Sequence, residues 1–321
     1  MRHATLRQLR VFAAVARTLS FSAAARELHL TQPAVSMQVK QLEARAALPL
    51  FERIGKKVYL TEAGRELARY ATGITELLRE AEESLGALRG VRGGVLKIGV
   101  VSTAKYFAPT LLAEFTRAHP DVRIKLLVAN REDVVRSLAA NDIDLAIMGR
   151  PPRELATADE PFAPHPHAII AAPVHPLAAR KRIPLIRLAG EKFLIREPGS
   201  GTRSSMERVF RDRGVAFSAS MEMSSNETIK QAVMAGMGIS FLSLHTVGLE
   251  LEAKRLVVLD VAGLPVMREW HAIHLRDKRL SPAAGLFRRF LLDHGAALIE
   301  RAVGLPGYVA APRRARSAAT G

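Results

Sequence analysis

Residues 20–43, SFSAAARELHLTQPAVSMQVKQLE, leave this stretch few folds to choose from. Phe21, Ala24, Ala25 and Leu28 recur three to four residues apart, as one face of a packed helix requires. His29-Leu30-Thr31 breaks that pattern, and Thr31 suits the N-cap of a second helix that tolerates Pro33 in its first turn. Val35, Val39 and Leu42 then form an apolar stripe, while Gln32, Ser36 and Lys40 fall at four-residue intervals on another face. That polar face offers hydrogen-bonding groups suited to base edges and a cation suited to phosphate. Two helices joined by a three- to four-residue turn, the second polar outside, predict a helix-turn-helix DNA reader. The alternative is an ordinary helical hairpin with a solvated face, and the neighbouring residues weigh against it.

Residues 1–60 carry ten Lys and Arg against three acids, a local charge of +7. FERIGKKVYL (51–60) reads as two short strands around Ile54-Gly55-Lys56-Lys57, a wing with cations near its tip. Leu6, Leu9, Phe12 and Ala13 supply the apolar face of a preceding helix. A winged helix-turn-helix over 1–60 follows. LRQLRVFAAVARTLSFSAAARELHLTQPAVSMQVKQLEARAALPLFER resembles the DNA-binding region of LysR-type transcriptional regulators along nearly its whole length, and the likeness extends over 1–90. The expected DNA-facing set is Ser22, Thr31, Gln32, Pro33, Ser36, Lys40, Arg53, Lys56 and Lys57. Met37 departs from the family, which very often has Arg there, so Lys40 is expected to carry more of the contact.

At 321 residues the chain suits two or three domains. The formal charge of +16 predicts attraction to polyanions without specifying DNA. The absence of Cys removes disulfides, thiolate catalysis and Cys-ligated zinc. With no export signal at the start and no apolar run near a membrane span, a cytoplasmic protein is expected. The ten histidines form no spaced metal pair, and no Ser/His/acid set stands in a recognised motif, so no enzyme, metal or cofactor is expected.

From Thr61 to about residue 89 there is no proline. Ala63, Leu67, Tyr70, Ile74, Leu77, Ala81, Leu85 and Leu88 recur at spacings of three and four, close to a coiled-coil heptad. A helix of this length spans about 40 Å at 1.5 Å per residue. Packing on its own chain is one reading; pairing with the same helix of a second subunit is the stronger, and the family resemblance implies it too. Residues 61–90 are thus a dimerisation helix, and 90–94 a hinge. Short apolar strands then alternate with amphipathic helices, the mark of an α/β architecture. Two lobes are expected, lobe I over about 93–163 and 268–300 and lobe II over about 164–267, with crossovers near 163–168 and 264–270. The proline-rich 151–166 stretch reads as a connection, and 301–321 as a disordered basic tail. This resembles the effector domain of LysR-type regulators, similar in fold to periplasmic binding proteins.

Ligands of open α/β sheets bind beyond the carboxyl ends of strands. Those ends hold Ser102-Thr103-Ala104-Lys105, Asn130, Gly149-Arg150 and Arg196-Glu197, followed by Ser200-Gly201-Thr202-Arg203 at a helix start. Asn226 opens a further helix in the same way. Glycines and a helix N-terminus favour an anion, and Lys105, Arg196 and Arg203 point to an acidic metabolite. PGSGT as a mere capped turn, and His165 and His167 as incidental, are the plainer readings of those residues. TQPAVSMQVKQLE, VVSTAKYFAP, ANREDV, DLAIMGRPP, REPGSGTR and MSSNETIKQAVMAGMGISFLS resemble the CbbR subgroup of LysR-type regulators. That resemblance implies an activator of RuBisCO and Calvin-cycle operons acting as a homodimer or homotetramer on double-stranded promoter DNA with RNA polymerase. It also implies an effector that is a sugar phosphate, a related acid or a reduced nicotinamide nucleotide. A LysR-type regulator of aromatic or amino-acid metabolism is the alternative.

Overall fold

Side-chain caps set where the first helices begin. Thr5 opens α1 (Leu6–Thr18) with a capping box shared with Gln8. Ser20 caps α2 (Phe21–Glu27) by accepting from the Ala23 N–H. Thr31 caps α3 (Gln32–Ala46) by accepting from the Ala34 N–H, with Pro33 in the first turn as predicted. The computed structural model describes residues 4–55, 57–88 and 93–304, so Lys56, the hinge at 90–92 and the tail from 305 lie outside the described residues. The chain divides into two compact units, the first ending at about residue 92 but including 139–143, the second taking the rest.

In the first unit α1 is packed on two sides. Val11, Ala14 and Val15 meet Ala24, Ala25, Val35 and Val39 of the helix pair. Leu9 and Phe12 meet Leu42, Leu50 and Ala71. Leu6, expected in the core, is instead 47% exposed. The core takes up Leu9 and Phe12 of this helix and leaves Leu6, its first residue, uncovered among the described residues. The wing is an antiparallel pair, β1 (Phe51–Ile54) and β2 (Lys57–Leu60), with Ile54 opposite Lys57. Glu43 fixes its root by accepting from the backbone N–H groups of Leu50 and Phe51 at 2.9 and 3.2 Å.

Helix α4 (Glu62–Leu88) starts on a Thr61 cap to Gly64. A Cβ at Gly64 would stand 2.0 Å from the Leu50 carbonyl oxygen, so only glycine lets this turn sit on the wing root. The apolar stripe divides here into two parts. Ala63 and Leu67, with Ala68 and Ala71, pack on the Leu9/Phe12 cluster of their own chain, which corrects a seam drawn without interruption from residue 63. Beyond them Tyr70, Ile74, Leu77 and Leu85 are exposed. The Leu88 side chain lies outside the described residues.

The second unit begins with β3 (Gly94–Val101), α5 (Ala108–Ala118), β4 (Val122–Ala129), α6 (Arg131–Ala139) and β5 (Leu145–Met148). Strand β3 lies between β4 and β5, parallel to both. LAIM of β5 is buried throughout, as a central parallel strand requires. A long β6 (Thr157–Ala171) follows, then β7 (Lys192–Arg196), α7 (Gly201–Asp212), β8 (Ser218–Met223), α8 (Asn226–Met234) and β9 (Ser240–Ser243). Helix α9 (Gly248–Glu252), β10 (Val257–Val258), β11 (Val266–Leu275) and α10 (Pro282–Val303) complete the described chain.

One lobe carries the strand order β4-β3-β5-β11-β6. In the other, β9 and β10 pair with the end of β6, a bridge from Phe193 to Ile239 joins β9 to β7, and β8 lies beside β7. Its core has two faces, one with Phe193, Phe210 and Phe241, the other with Leu194, Ile229 and Leu242. The two chain crossings are neighbouring strands, β6 and β11, paired antiparallel from Thr157–Leu275 to His167–Val266.

The proline-rich stretch read as a connection is therefore mostly strand. His167 pairs with Val266 on one side and Ser243 on the other, so β9 takes the edge opposite β11. Among the described residues that edge has no strand partner over 157–166, and prolines, which cannot donate, are tolerated beside such an open edge. Which edge of a strand stays open depends on residues far away in sequence, so proline content alone does not exclude a strand.

Candidate DNA-reading face and effector cleft

In the first unit the start of α3 is presented outward. Thr31, Gln32, Pro33 and Lys40 are exposed, Ser36 is half-buried, and Ser22 is exposed at the start of α2. The Gln32 amide donates to Ser36 Oγ at 3.0 Å, so the two share one face at the predicted four-residue spacing. Met37 is 53% exposed on the same helix. Arg53 stands over the Phe21 ring at 5.3 Å, which anchors the wing cation against α2. Lys40, Arg53 and Lys57 are exposed and pair with no carboxylate among the described residues, whereas Arg17 is engaged by Glu27.

In the second unit a cleft of about 390 Å³, counting the part open to solvent, lies where both lobes' strand ends meet β6 and β11. From one lobe come Ser102, Thr103, Asn130, Arg131, Gly149 and Arg150; from the other come Arg196, Ser200, Gly201 and Thr202. Ser200 is the N-cap of α7 but makes no side-chain cap bond, so its buried hydroxyl remains free for another partner. The unpaired N–H groups of that helix start favour an anion. Among the described residues no carboxylate lines the cavity.

Arg268 and the histidines come from the crossing strands, and the sequence reading missed them as site residues. Arg268 donates to the Gly149 carbonyl at 2.8 Å and to the Gly201 carbonyl at 3.4 Å, so it touches a loop of each lobe. Burial, and then the charges of Arg208, Arg150 and Arg131, pull its guanidinium down to about 10. It has no carboxylate partner among the described residues. His165 and His167, read as incidental, line the cavity. His165 stacks on Trp270 with ring centroids 3.7 Å apart. Burial above all holds both imidazoles far below their usual range, so both are neutral at pH 7. A Cβ at Gly149 would stand 2.8 Å from His165 Nδ1, so glycine is what lets that strand end approach the ring. Period-two alternation along β6 would have put residues 165 and 167 on one face, had 157–166 been read as strand.

Five expected effector residues lie outside this cavity. Ala104 is buried at the start of a short 3-10 turn. Lys105 donates to Glu227 at 2.9 Å, and the Tyr106 hydroxyl donates to the same carboxylate at 2.6 Å. Burial pushes the Glu227 carboxyl up, but those hydrogen bonds outweigh it and hold it at about 2. The pair is thus a latch between lobes rather than a free cation. Glu197 and Asn226 serve Arg196, which is buried and bonds Glu197 through both Nε and Nη2, Asn226 Oδ1 through Nη1, and Ser102 Oγ at 3.1 Å. Arg203 turns away to Glu207, at 2.8 Å, and Glu222. Lys105 and Arg203, expected to meet an acidic metabolite, are instead each neutralised by carboxylates, whereas Arg150 and Arg268 line the cavity and pair with no carboxylate among the described residues.

Residues 6–65 match the family model described as bacterial regulatory helix-turn-helix protein, lysR family. Residues 89–296 match the model described as LysR substrate binding domain, more than half of the chain. The chain belongs to the LysR family of transcriptional regulators. The chain is 53% identical over 296 residues to a RuBisCO operon transcriptional regulator of Allochromatium vinosum, covering 92% of this chain and 98% of that one. It is 53% identical over 309 residues to the HTH-type transcriptional regulator CfxR of Cupriavidus necator, covering 96% and 98%. Among solved structures, the CcmR regulatory domain of Synechocystis in complex with 2-PG is 39% identical. It aligns with a TM-score of 0.61 over 63% of this chain and 96% of that one. Full-length CbnR complexed with its target DNA aligns at 0.64 over 89% and 98%, and at 24% identity shows the shared LysR fold alone. LysR regulators bind promoter DNA through the helix-turn-helix and a small effector in the substrate-binding domain; they are not enzymes.

Proposed function

We propose that this LysR regulator activates a RuBisCO operon, and so carbon dioxide fixation, in response to a small anionic metabolite held in the cleft. The observation that carries this is 53% identity, over more than nine tenths of the chain, to regulators of that kind. A cavity rich in hydroxyls, backbone donors and arginine, with no carboxylate in its lining, suits a phosphorylated sugar or related acid. The protein works in the cytoplasm on double-stranded promoter DNA, as a homodimer or homotetramer joined through α4, and contacts RNA polymerase there. A genome-wide map of the DNA it binds, with and without candidate metabolites, tests this reading. Occupancy confined to operons unrelated to carbon fixation would sink it.

On DNA, Gln32, Pro33 and Ser36 face bases, while Thr31, Lys40, Arg53 and Lys57 mainly hold phosphates; Ser22 and Lys56 complete the DNA-binding set. Gln32→Ala is expected to cost roughly 1–3 kcal/mol at its contact and to relax the preferred base there. Arg53→Ala is expected to weaken all sequences alike and to lower the salt slope by about one unit. Titrations at several salt concentrations check both; an unchanged slope for Arg53→Ala would remove the wing from the interface.

In the cleft, Arg268→Ala is expected to lose about 1.5–3 kcal/mol of affinity for a phosphorylated effector, the worth of a charge-assisted hydrogen bond. Thr202→Ala removes a neutral hydroxyl and should lose less, about 1 kcal/mol. Arg203→Ala, whose guanidinium is spent on Glu207 and Glu222, should bind within a small factor of the parent. Calorimetry that ranked Arg203→Ala as the most damaged of the three would reverse the assignment.

A further inference from the structure

The two histidines that line the cleft each keep one ring nitrogen without a hydrogen-bond partner among the described residues, Nδ1 of His165 and Nε2 of His167. Both side chains are buried, and buried polar groups without a partner are few in native proteins. The role of His167 Nε2 is set by the opposite side of the ring. His167 Nδ1 lies 3.2 Å from the carbonyl oxygen of His165. A carbonyl only accepts, so Nδ1 carries the hydrogen. The ring is neutral, and its lone pair therefore sits on Nε2, an atom that can accept and cannot donate.

Apart from the hydroxyls, which an anion turns into donors, side-chain acceptors are few in the lining of this cavity. Asn130 Oδ1 is taken by the Asp133 N–H at 2.9 Å, and the Gly149 carbonyl by Arg268 at 2.8 Å. Arg268, the backbone N–H groups at the start of α7 and the hydroxyls of Ser200 and Thr202 all serve an anion as donors. A bare anion would leave the lone pair of His167 unmet.

We propose that His167 Nε2 accepts a hydrogen bond from a ligand hydroxyl, so that the cleft selects anions carrying a hydroxyl beside the charged group and rejects their deoxy counterparts. This rests on the cleft being the anion-effector site, and it adds a specificity-determining residue that such a site does not itself need. A site built to bond a hydroxyl discriminates strongly against the analogue without one, because its buried partner is left unpaired.

The test is calorimetry on the full-length protein with 3-phosphoglycerate and the phosphate ester of 3-hydroxypropionate, which differ by one hydroxyl. The parent is expected to bind the hydroxylated anion at least about tenfold more tightly. His167→Phe keeps a ring beside Phe241 and removes the lone pair, and the preference should shrink to about twofold or less. His167→Met is read in parallel, so that misfolding of one variant leaves the other to decide. Equal affinities in the parent, as a bound water on Nε2 would produce, or a preference undiminished in the variants, overturns the proposal while the anion site stands. Failure of both anions to bind overturns the anion-effector reading itself, and the proposal with it.

Discussion

Ile74→Glu is expected to turn this regulator into a monomer whose two units remain folded and whose grip on operator DNA is lost. Ile74 lies in α4 with Tyr70 and Leu77, respectively 39%, 61% and 63% exposed, and Leu85 beyond them is 58% exposed. Large apolar side chains aligned at spacings of three and four residues along an open helix mark an interaction surface. A second copy of α4 is its proposed cover. A carboxylate in the middle of that seam would be buried without a partner, which the helix pair cannot sustain. Two linked reading heads bind tighter than one by about 10²–10⁴-fold, so that much operator affinity should vanish with the dimer. Light scattering and operator titration measure the two effects. A parental oligomer in the light-scattering trace would assign the stripe to some other packing. Ala63→Glu should behave differently and unfold the DNA-binding unit, since Ala63 packs on the core of its own chain.

Arg196→Met is expected to destabilise the second unit by about 3–5 kcal/mol, the usual cost of breaking a buried pair from one side. Arg196 is 3% exposed, and its guanidinium satisfies Glu197, Asn226 and Ser102 at once. Its loss strands the Glu197 carboxylate and the Asn226 carbonyl oxygen together. Arg196→Lys should recover little, because a single ammonium cannot span both oxygens of Glu197 and reach Asn226. Removing both charges, in Arg196→Met with Glu197→Met, should restore most of the stability. Denaturant unfolding followed by circular dichroism reads this as a shift in midpoint at constant slope. A loss under about 1 kcal/mol for Arg196→Met would show that water replaces the lost donors.

The DNA-reading face and the cleft differ in how far local sequence anticipates them. Thr31, Pro33, Gln32 and Ser36 act within one helix, where caps and a 3.6-residue period set both position and outward face. The strand ends of the second unit follow from apolar runs in the same way, so Ser102, Asn130, Gly149 and Thr202 could be placed at one mouth before any contact was known. Which cations face that mouth is another matter. Arg203 and Lys105 sit beside the right loops, yet their charges are spent on Glu222 and Glu227, which lie 19 and 122 residues away in sequence.

Periodicity and capping by themselves determined the winged helix-turn-helix, the long helix and the α/β character of the sensor, because each depends on residues a few positions apart. Tertiary structure alone decided that Ala63 and Leu67 belong to their own chain's core while Ile74 does not. It also decided that a proline-rich stretch is the open edge of β6, and that Arg268 and His167 reach the cleft. Those outcomes turn on which distant carboxylate, strand or ring arrives beside a side chain. A charge is available to a ligand only where no carboxylate has arrived first, as Arg268 and Arg203 show.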